Sequence, residues 1–235
     1  MSELSPVELQ KKLELQKKRA AEHAVTLIES GMKVGLGTGS TARFAVAALG
    51  RRVRDEGLKL KAVPTSEATR QQAVEEGITV VGFEHVDLLD ICFDGADEVD
   101  PALNLTKGGG GALLREKVVA FSSARFVCIV DEAKCVTNLH AFALPLEVVP
   151  FAVKVVEREV IALGGAPTLR QKNGAAFVTD NGLWILDCRF PPILDPPQLA
   201  KAFAGIPGIA EHGLFCGMVH DLVVGTDDGV KVTTR

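Results

Sequence analysis

Four carboxylates stand within seven residues directly after a short apolar run of the chain. They are Asp94, Asp97, Glu98 and Asp100, and the apolar run ends at Phe93. Carboxylates this close repel one another unless they bind a metal ion, meet a cation or share a proton. The spacing lacks the glycine and the later glutamate that an EF-hand loop needs. A magnesium site, a solvated acidic turn and a cation supplied by another segment are the alternatives that this pattern leaves open.

A lysine followed by consecutive glycines is a segment that supplies such a cation. Lys107 precedes the four glycines at 108–111, and helical spacing resumes near Ala112. Consecutive glycines cost conformational entropy on folding, which favours a reason such as close approach of the backbone to a ligand. The segment is not a Walker loop, because no Gly-Lys-Ser or Gly-Lys-Thr ends it. A flexible connector is the other interpretation of this segment.

A second glycine-rich turn, Gly-Thr-Gly-Ser-Thr at 37–41, follows an apolar run at 33–36. Its backbone N–H groups, its hydroxyls and the positive end of the following helix suit a phosphate or another oxyanion. A nicotinamide dinucleotide is disfavoured, because a fingerprint that begins with Gly35 and Gly37 has Ser40 in the place of its third glycine, and the next strand ends at 64–66 without a ribose-binding acid. A tight turn that binds no ligand is the alternative.

Glu116 lies between Arg115 and Lys117 on the helix that follows the four glycines. A glutamate between two cations is ordinarily a surface residue. Taken alone, its local sequence therefore predicts a solvated position.

The composition and charge exclude several classes of partner. The net charge is −4, charges of both signs are interspersed and aromatic residues make up 5% of the chain, so we expect no nucleic-acid partner. The five cysteines are widely spaced and form no CxxC pair, which indicates neither a disulfide framework nor a zinc site. No apolar run approaches the roughly 20 residues that span a bilayer, and the first residues are charged instead of apolar. We therefore expect a cytoplasmic protein with no membrane partner.

The order of apolar runs predicts an α/β protein. Short apolar strands alternate with helices between 33 and 130, which is typical of a doubly wound, mostly parallel Rossmann-like sheet. From 144 to 216 the order strand, helix, strand, strand, helix, strand predicts a second, smaller ferredoxin-like α+β domain. We expect a Rossmann-like catalytic domain at 1–143 plus 217–235, and a βαββαβ domain at 144–216 that also makes an oligomer contact.

Capping and turn residues set the bounds of single elements. Ser5, Pro6 and Glu8 form the pattern of a capping box with proline at the first helical position, which predicts a helix from 6 to near 30. Asn181-Gly182 is the strongest hairpin signal in the chain. Other apolar runs predict strands at 33–36, 79–81 and 209–215 and a helix at 196–204.

Together these motifs resemble one family, the type A ribose-5-phosphate isomerases. The motifs that occur in the same order in that family are GTGST at 37–41, FDGADE at 93–98, KGGG at 107–110, REK at 115–117 and Asp-Glu-Ala-Lys at 131–134. The later Gly-Gly-x-Pro at 164–167, Val-Thr-Asp-Asn-Gly at 178–182 and Gly-Thr-x-Asp-Gly at 225–229 are similar as well. The resemblance therefore covers nearly the whole chain.

The resemblance implies a reaction and a set of residues for it. The reaction is the reversible conversion of ribose 5-phosphate, a small-molecule phosphosugar, to ribulose 5-phosphate. It needs no metal and no organic cofactor, and the enzyme is a homodimer or homotetramer. The resemblance makes Glu116 the general base, Lys107 the electrophilic cation, and Asp94 and Asp97 active-site acids. It assigns substrate contacts to Thr38, Gly39, Ser40, Thr41, Gly95, Ala96, Gly108, Gly109, Gly110, Lys134 and Lys17.

Two other functions stay open at this point. A phosphosugar-sensing binding protein on the same fold would keep the sugar-binding loops but would have no need for a base at Glu116. A nucleotide-dependent or coenzyme-dependent transferase on a similar sheet is the second alternative. The phosphate of the substrate is expected at the 38–41 turn, because that turn offers N–H groups and hydroxyls.

Overall fold

The computed structural model describes residues 5–235 and divides into two compact units. Unit 1 contains the chain up to Gly95 together with 118–135 and 219–235, and unit 2 contains 96–117 and 136–218. The domain boundaries predicted from the sequence stay a prediction.

The helices and strands follow one another along the chain in a mixed order. The α-helices are α1 (Pro6–Val25), α2 (Ser40–Glu56), α3 (Glu67–Glu75), α4 (Leu113–Phe121), α5 (Val153–Ala162) and α6 (Pro196–Ala204). The strands up to residue 131 are β1 (Lys33–Leu36), β2 (Lys61–Pro64), β3 (Ile91–Asp94), β4 (Glu98–Val99), β5 (Leu105–Thr106) and β6 (Phe126–Asp131). The later strands are β7 (Leu144–Val148), β8 (Ala166–Leu169), β9 (Gln171–Lys172), β10 (Ala175–Ala176), β11 (Trp184–Arg189), β12 (Ile209–His212), β13 (Leu214–Phe215), β14 (Asp221–Gly225) and β15 (Val230–Thr234).

The first helix begins at the capping signal that the sequence contains. The Ser5 side chain accepts a hydrogen bond from the Glu8 backbone N–H, and the Glu8 carboxylate accepts one from the Ser5 N–H at 2.8 Å. Pro6 occupies the first helical position, where a missing N–H costs nothing. The helix ends at Val25, several residues before the predicted end near 30.

Unit 1 is built on a six-stranded sheet in the order β15-β14-β6-β3-β1-β2. Every neighbouring pair is parallel except β14 with β15. Strands β3 and β6 are buried along their whole length, as expected for a parallel sheet covered on both faces. Because β1, β3 and β6 are parallel neighbours, the turn at 37–41, Asp94 and Asp131 lie at the same edge of the sheet, beyond the carboxyl ends of the strands.

Unit 2 carries a smaller antiparallel sheet in the order β12-β7-β11-β8. With α5 after β7 and α6 after β11, the chain order is the βαββαβ order of a ferredoxin-like unit. A core of buried apolar side chains that includes Leu146, Val156, Leu186 and Phe203 lies between this sheet and its helices. A three-stranded sheet, β13-β5-β4, belongs to the same unit. The predicted fold class is therefore confirmed: a mostly parallel central sheet with a smaller antiparallel sheet.

Three predicted strand features differ from the structure. The tight hairpin joins β9 to β10 through Asn173 and Gly174, whose φ values are 55° and 80°, while the turn at 179–182 is closed by a single bridge from Val178 to Trp184. The predicted strand at 79–81 is reduced to one bridge. The predicted strand at 209–215 is interrupted at Gly213, where a Cβ atom would overlap the Lys107 carbonyl oxygen.

One further finding concerns the length and polarity of the helices. Within residues 5–235 no helix is both long enough and apolar enough to cross a bilayer.

Candidate active site

The turn after β1 holds the carboxylate of Asp94 in unit 1. Asp94 Oδ1 accepts hydrogen bonds from the Thr38 N–H at 3.0 Å and from the Gly95 N–H at 2.8 Å. A Cβ atom on Gly37 would overlap this carboxylate, so only glycine permits the close approach. The Asp94 side chain is buried and its oxygen is fixed by two backbone donors, which gives the carboxylate one defined orientation.

The hydroxyl of Thr38 points into a cluster of hydroxyl groups. Its Oγ1 lies 2.6 Å from Thr65 Oγ1, 2.8 Å from Ser66 Oγ and 3.1 Å from Thr69 Oγ1. Ser66 also caps α3 through the Thr69 N–H. These hydrogen bonds connect the turn after β1 with the start of α3. The Thr38 hydroxyl therefore stabilises the turn. Its predicted contact with substrate stays a prediction.

The rest of the 38–41 turn forms the beginning of α2. Gly39 takes φ +111° at the N-cap position, and no side chain caps the helix there. Ser40 is exposed and Thr41 is buried. A helix N-terminus without a side-chain cap can bind an anion such as phosphate through its first N–H groups and the positive end of its dipole, and the predicted substrate contacts of this turn stay a prediction.

The two predicted substrate-binding lysines of unit 1 lie on different elements. Lys134 ends a 3₁₀ turn (Glu132–Lys134) after β6, and Asp131 caps that turn by accepting the Ala133 N–H at 3.0 Å. Lys17 lies on α1, and its Nζ is 3.7 Å from the Glu14 carboxylate. Lys134 therefore lies beyond the carboxyl end of a sheet strand, and its predicted contact with substrate stays a prediction.

In unit 2 the side chains of Lys107 and Glu116 meet. The Lys107 Nζ lies 3.2 Å from Glu116 Oε2, and each side chain is only 3% exposed. Lys107 directly follows β5, and its N–H donates to the Gly213 carbonyl at 2.8 Å; Glu116 lies in the first turn of α4. A buried charge is costly unless it is paired, so each group stabilises the other here. The surface position that the local sequence predicts for Glu116 is wrong, because the side chain turns inward to this lysine.

The glycines after Lys107 allow two close approaches. The Gly109 N–H donates to Asp97 Oδ2 at 2.8 Å. A Cβ atom on Gly109 would lie 2.7 Å from Asp97 Oδ1 and 2.9 Å from Phe142 Cζ, and Gly108 takes φ +105°. The lysine-glycine loop, residues 107–111, is therefore a packed segment and not the flexible connector that its composition also allows.

Arg170 is a residue of this site that sequence reasoning missed. Its Nη1 donates to the carbonyl oxygens of Gly108 and Gly109, both at 3.1 Å, and its guanidinium binds the Asp187 carboxylate through two nitrogens at 2.9 and 2.5 Å. A bidentate pair of this kind fixes the orientation of the guanidinium. Nothing in the sequence near Arg170 signals the contact, because the loop lies about sixty positions earlier in the chain.

The carboxylates of Glu98 and Asp100, in the acidic segment after β3, are stabilised by hydrogen bonds from backbone N–H groups. Glu98 Oε1 accepts hydrogen bonds from the N–H groups of three consecutive residues, 140–142, at 3.4, 2.8 and 3.1 Å. Asp100 accepts from the N–H groups of Ala102 and Asn104 at 2.9 and 2.8 Å. In the part of the chain that the structure describes, no group of three His, Cys, Asp or Glu side chains is arranged to hold a metal ion.

The predicted site residues therefore fall into two groups. In unit 1 the 38–41 turn, Asp94 and Gly95 are brought together by hydrogen bonds and close contacts. In unit 2 Lys107 meets Glu116, and Asp97 meets Gly109. Lys17 forms an ion pair with Glu14 on its own helix, and its predicted contact with substrate stays a prediction.

Comparisons with known proteins connect this arrangement with one family. The family model described as Ribose 5-phosphate isomerase A (phosphoriboisomerase A) matches residues 61–229. Ribose-5-phosphate isomerase A of Bradyrhizobium diazoefficiens is 47% identical over 230 residues, which cover 93% of this chain and 95% of the relative. The protein of the same name from Roseiflexus sp. is 50% identical over 219 residues, covering 92% and 94%.

Solved structures show the same likeness in three dimensions. A D-ribose-5-phosphate isomerase in complex with phospho-erythronic acid superimposes with a TM-score of 0.92 and 38% identity, covering 95% of this chain and 99% of that one. Ribose 5-phosphate isomerase A of Methanocaldococcus jannaschii gives a TM-score of 0.89 and 40% identity, covering 93% and 98%. From the family match and these relatives it follows that this chain belongs to the ribose 5-phosphate isomerase A family.

Proposed function

We propose that the chain interconverts D-ribose 5-phosphate and D-ribulose 5-phosphate by moving one proton between C1 and C2 through an enediolate. The observation that carries the proposal is the buried pair of Lys107 and Glu116, with 3.2 Å between Nζ and Oε2. Such a pair combines a proton acceptor with a fixed positive charge, and aldose–ketose isomerisation needs both. The family membership supports the choice of substrate.

Glu116 is the general base in this proposal. Its carboxylate removes the proton from C2 of the open-chain aldose, and the electron pair moves through C1 to the carbonyl oxygen to give the enediolate. The same carboxyl group then returns a proton to C1, which leaves the carbonyl at C2. General acid–base transfer of this kind contributes roughly 10² to 10⁴ in rate.

Lys107 is the partner of the negative oxygen that develops on the substrate. A fixed positive charge in a site shielded from water stabilises an oxyanion far more than it does in bulk solvent. The side chain is 3% exposed, and its backbone is fixed by the bond to Gly213, so little reorganisation is needed when the charge appears.

The two aspartates have different roles in this proposal. We assign Asp94 to the oxygens, where a proton passes between O1 and O2 and the furanose ring opens, and its fixed Oδ1 supports that role. We assign Asp97 to holding the lysine-glycine loop, because its Oδ2 accepts the Gly109 N–H. The division is tested separately below.

We propose that the phosphate group binds at the 38–41 turn. The uncapped first turn of α2 and the exposed Ser40 hydroxyl support this placement. A remote phosphate helps because its binding energy positions the reacting carbons. If Ser40→Ala and Thr41→Ala variants bind inorganic phosphate as tightly as the parent does, the phosphate lies elsewhere.

The direct test uses the purified protein after exhaustive chelation. Ribose 5-phosphate is added in deuterium oxide, and the ketose and the deuterium at its C1 are followed by nuclear magnetic resonance. The proposal expects ketose with deuterium at C1, and expects neither with Glu116→Gln. Ketose without any deuterium after many turnovers would indicate a hydride shift, and binding without ketose would indicate a phosphosugar sensor; either result would contradict the proposal.

We also propose that the chain forms a homo-oligomer through unit 2. The side chain of Phe151 is 99% exposed, and Val149 and Val155 beside it are 41% and 44% exposed. An apolar group of this kind is typical of a protein contact, and a second copy of the chain is the partner we infer. Light scattering should show a smaller species for Phe151→Glu, while Leu88→Glu, at an exposed leucine of unit 1, keeps the size of the parent. Equal sizes for all three proteins would contradict the contact.

A cytoplasmic location is the last element of the proposal. Cys188 is a buried thiol that forms no disulfide, and burial raises its pKa. Structural thiols of this kind fit a reducing compartment.

A further inference from the structure

Lys117, the residue after Glu116, is a largely buried lysine whose ammonium group contacts Glu211, both the carbonyl oxygen and the ring Nδ1 of His212, and the Phe215 ring. Its Nζ donates to Glu211 Oε1 and to the His212 carbonyl oxygen, both at 2.6 Å, and lies 4.9 Å from the centroid of the Phe215 ring. The side chain is 14% exposed. Burial lowers the pKa of Lys117, and the Glu211 carboxylate opposes that shift. The position of this ammonium group is therefore fixed by charge, by hydrogen bonds and by an aromatic ring.

The Phe215 ring connects Lys117 with Lys107. The Lys107 Nζ lies 5.4 Å from the centroid of the same ring, and the ring is fully buried. Phe215 pairs with Leu105 across the β13–β5 ladder, and the Lys107 N–H donates to Gly213 at the start of this segment. The segment 213–215 thus supports both the backbone and the ammonium group of Lys107. An ammonium group over a ring is attracted by the electrons of the ring face.

Each of the two lysines has its own carboxylate. Lys107 lies 3.2 Å from Glu116, and Lys117 lies 2.6 Å from Glu211. Two ammonium groups at one ring repel each other, so each needs its counterion. Without Lys117, the Glu211 carboxylate, whose side chain is 23% exposed, would lose its close cation, and its charge would act on the ammonium group that remains at the Phe215 ring, that of Lys107.

We propose that Lys117 is a positioning residue for Lys107. It neutralises Glu211 and occupies the Phe215 ring, so that Lys107 keeps Glu116 and the substrate oxygen as its partners. In this role Lys117 acts through its contacts with Glu211 and Phe215. The inference rests on the proposed isomerase function and adds to it a residue to which the family motifs assign no role.

The test compares Lys117→Met with the double variant Lys117→Met/Glu211→Gln. The single variant leaves a carboxylate without its cation, and the double variant removes both charges. We expect Lys117→Met to lower kcat by about tenfold or more with KM within about threefold, because the loss concerns transition-state charge and not substrate binding. We expect the double variant to recover kcat to within about threefold of the parent, as non-additive charge pairs do.

A matched control comes from the other neighbour of Glu116. Arg115 is also a cation on α4, and it donates to the Asn181 side chain and to the Asp180 carbonyl at 2.9 and 3.0 Å. Its Nη1 also lies 3.8 Å from the Asp180 carboxylate, and both side chains are partly exposed. Arg115→Met should keep kcat within about twofold, as expected for such an ion pair. Activity of the parent in the same assay establishes the isomerase function independently of Lys117. A parent without activity would contradict the proposed function, whatever the variants do.

Two results would overturn the inference itself. One is a kcat for Lys117→Met within about twofold of the parent, since removal of a needed charge partner costs far more. The other is a double variant as impaired as the single one, which would show that only packing was lost.

If Lys117→Met does not fold, two substitutions of Phe215 test the inference instead. Phe215→Tyr keeps an aromatic ring and should keep the activity, whereas Phe215→Leu removes the ring and should lose the activity. Equal activities of that pair at equal melting temperatures would overturn the inference as well.

Discussion

The Nζ of Lys107 lies 3.2 Å from Oε2 of Glu116, and both side chains are 3% exposed. This relationship joins a residue directly after β5 to a residue in the first turn of α4. In the absence of substrate the two charges stabilise each other, and burying them together avoids leaving either one unpaired. A substrate oxygen that develops negative charge would replace the carboxylate as the partner of the lysine and leave that carboxylate as a base.

Shortening the side chain of Glu116, the proposed base, is the most direct test of this geometry. Glu116→Asp removes one methylene and keeps the charge, so the carboxylate is withdrawn from the reacting carbon by about 1 Å or more, a misplacement that costs roughly 10² in rate. We expect kcat to fall by about that factor with KM close to that of the parent. Steady-state kinetics measure both constants, and Glu159→Gln on α5 serves as the control for an unrelated glutamate. If Glu116→Asp is as active as the parent, Glu116 is not the general base.

Gly109 is a second position at which we expect the addition of one methyl group to lower activity strongly. A Cβ atom there would lie 2.7 Å from Asp97 Oδ1 and 2.9 Å from Phe142 Cζ. We therefore expect Gly109→Ala to displace the lysine-glycine loop and to lower kcat/KM by about tenfold or more, because misplaced groups lose catalytic geometry.

The control for this substitution is another glycine with room for a methyl group. At Gly205 the nearest atom to an added Cβ is the Ala202 carbonyl oxygen at 3.4 Å, and the backbone is right-handed. Gly205→Ala should keep both activity and melting temperature. If Gly109→Ala behaves in the same way, the close packing of the loop has no catalytic consequence.

Local signals in the sequence predicted the first and last residues of some elements. The apolar run at 33–36 and the helix at 196–204 have the predicted bounds, because proline, glycine and capping residues fix where they begin or end. The α2 helix is longer than its spacing suggests: it continues to Glu56 and ends at Gly57 in the left-handed conformation.

Local sequence patterns did not predict the contacts between segments that are far apart along the chain. Nothing near Glu98 indicates that its oxygen accepts the N–H groups of 140–142, and nothing near Thr38 indicates its hydroxyl cluster. The inward position of Glu116 was predicted only through the order of the family motifs, since its neighbours are both cations. Such contacts depend on which strands are paired, and strand order is decided by the packing of the whole chain.

The division between the two aspartates has its own test. Ribulose 5-phosphate cannot close to a furanose because its C5 oxygen carries the phosphate, so exchange of its C1 proton with deuterium oxide needs no ring opening. For Asp94→Asn we expect that exchange to stay within about fivefold of the parent while turnover of ribose 5-phosphate falls by about 10², the usual cost of losing an acid–base group. Proton resonance follows the exchange, and a coupled assay follows turnover. Equal losses in both would show that Asp94 serves the carbon transfer as well.

His212 predicts how the stability of the fold depends on pH. Burial, and then the Lys117 cation, lower the pKa of His212 from 6.5 to about 4. Between these two values the unfolded chain binds a proton that the native chain does not, so the free energy of unfolding falls as the pH falls. The contribution is fully present above 6.5 and is lost progressively toward 4, and its size is on the order of 3 kcal/mol.

Replacing His212 with a residue that does not titrate should flatten this dependence. For His212→Gln we expect the slope of unfolding free energy against pH to be smaller than that of the parent across the window from 6.5 to about 4. Denaturant unfolding at several pH values within the window gives the slopes, and the m-value shows whether the same surface is exposed. His85→Gln, at an exposed histidine, should leave the slope of the parent unchanged. Identical slopes for the parent and His212→Gln would mean that the native chain protonates His212 as readily as the unfolded chain does, and the buried contact with Lys117 would then have no influence on its charge.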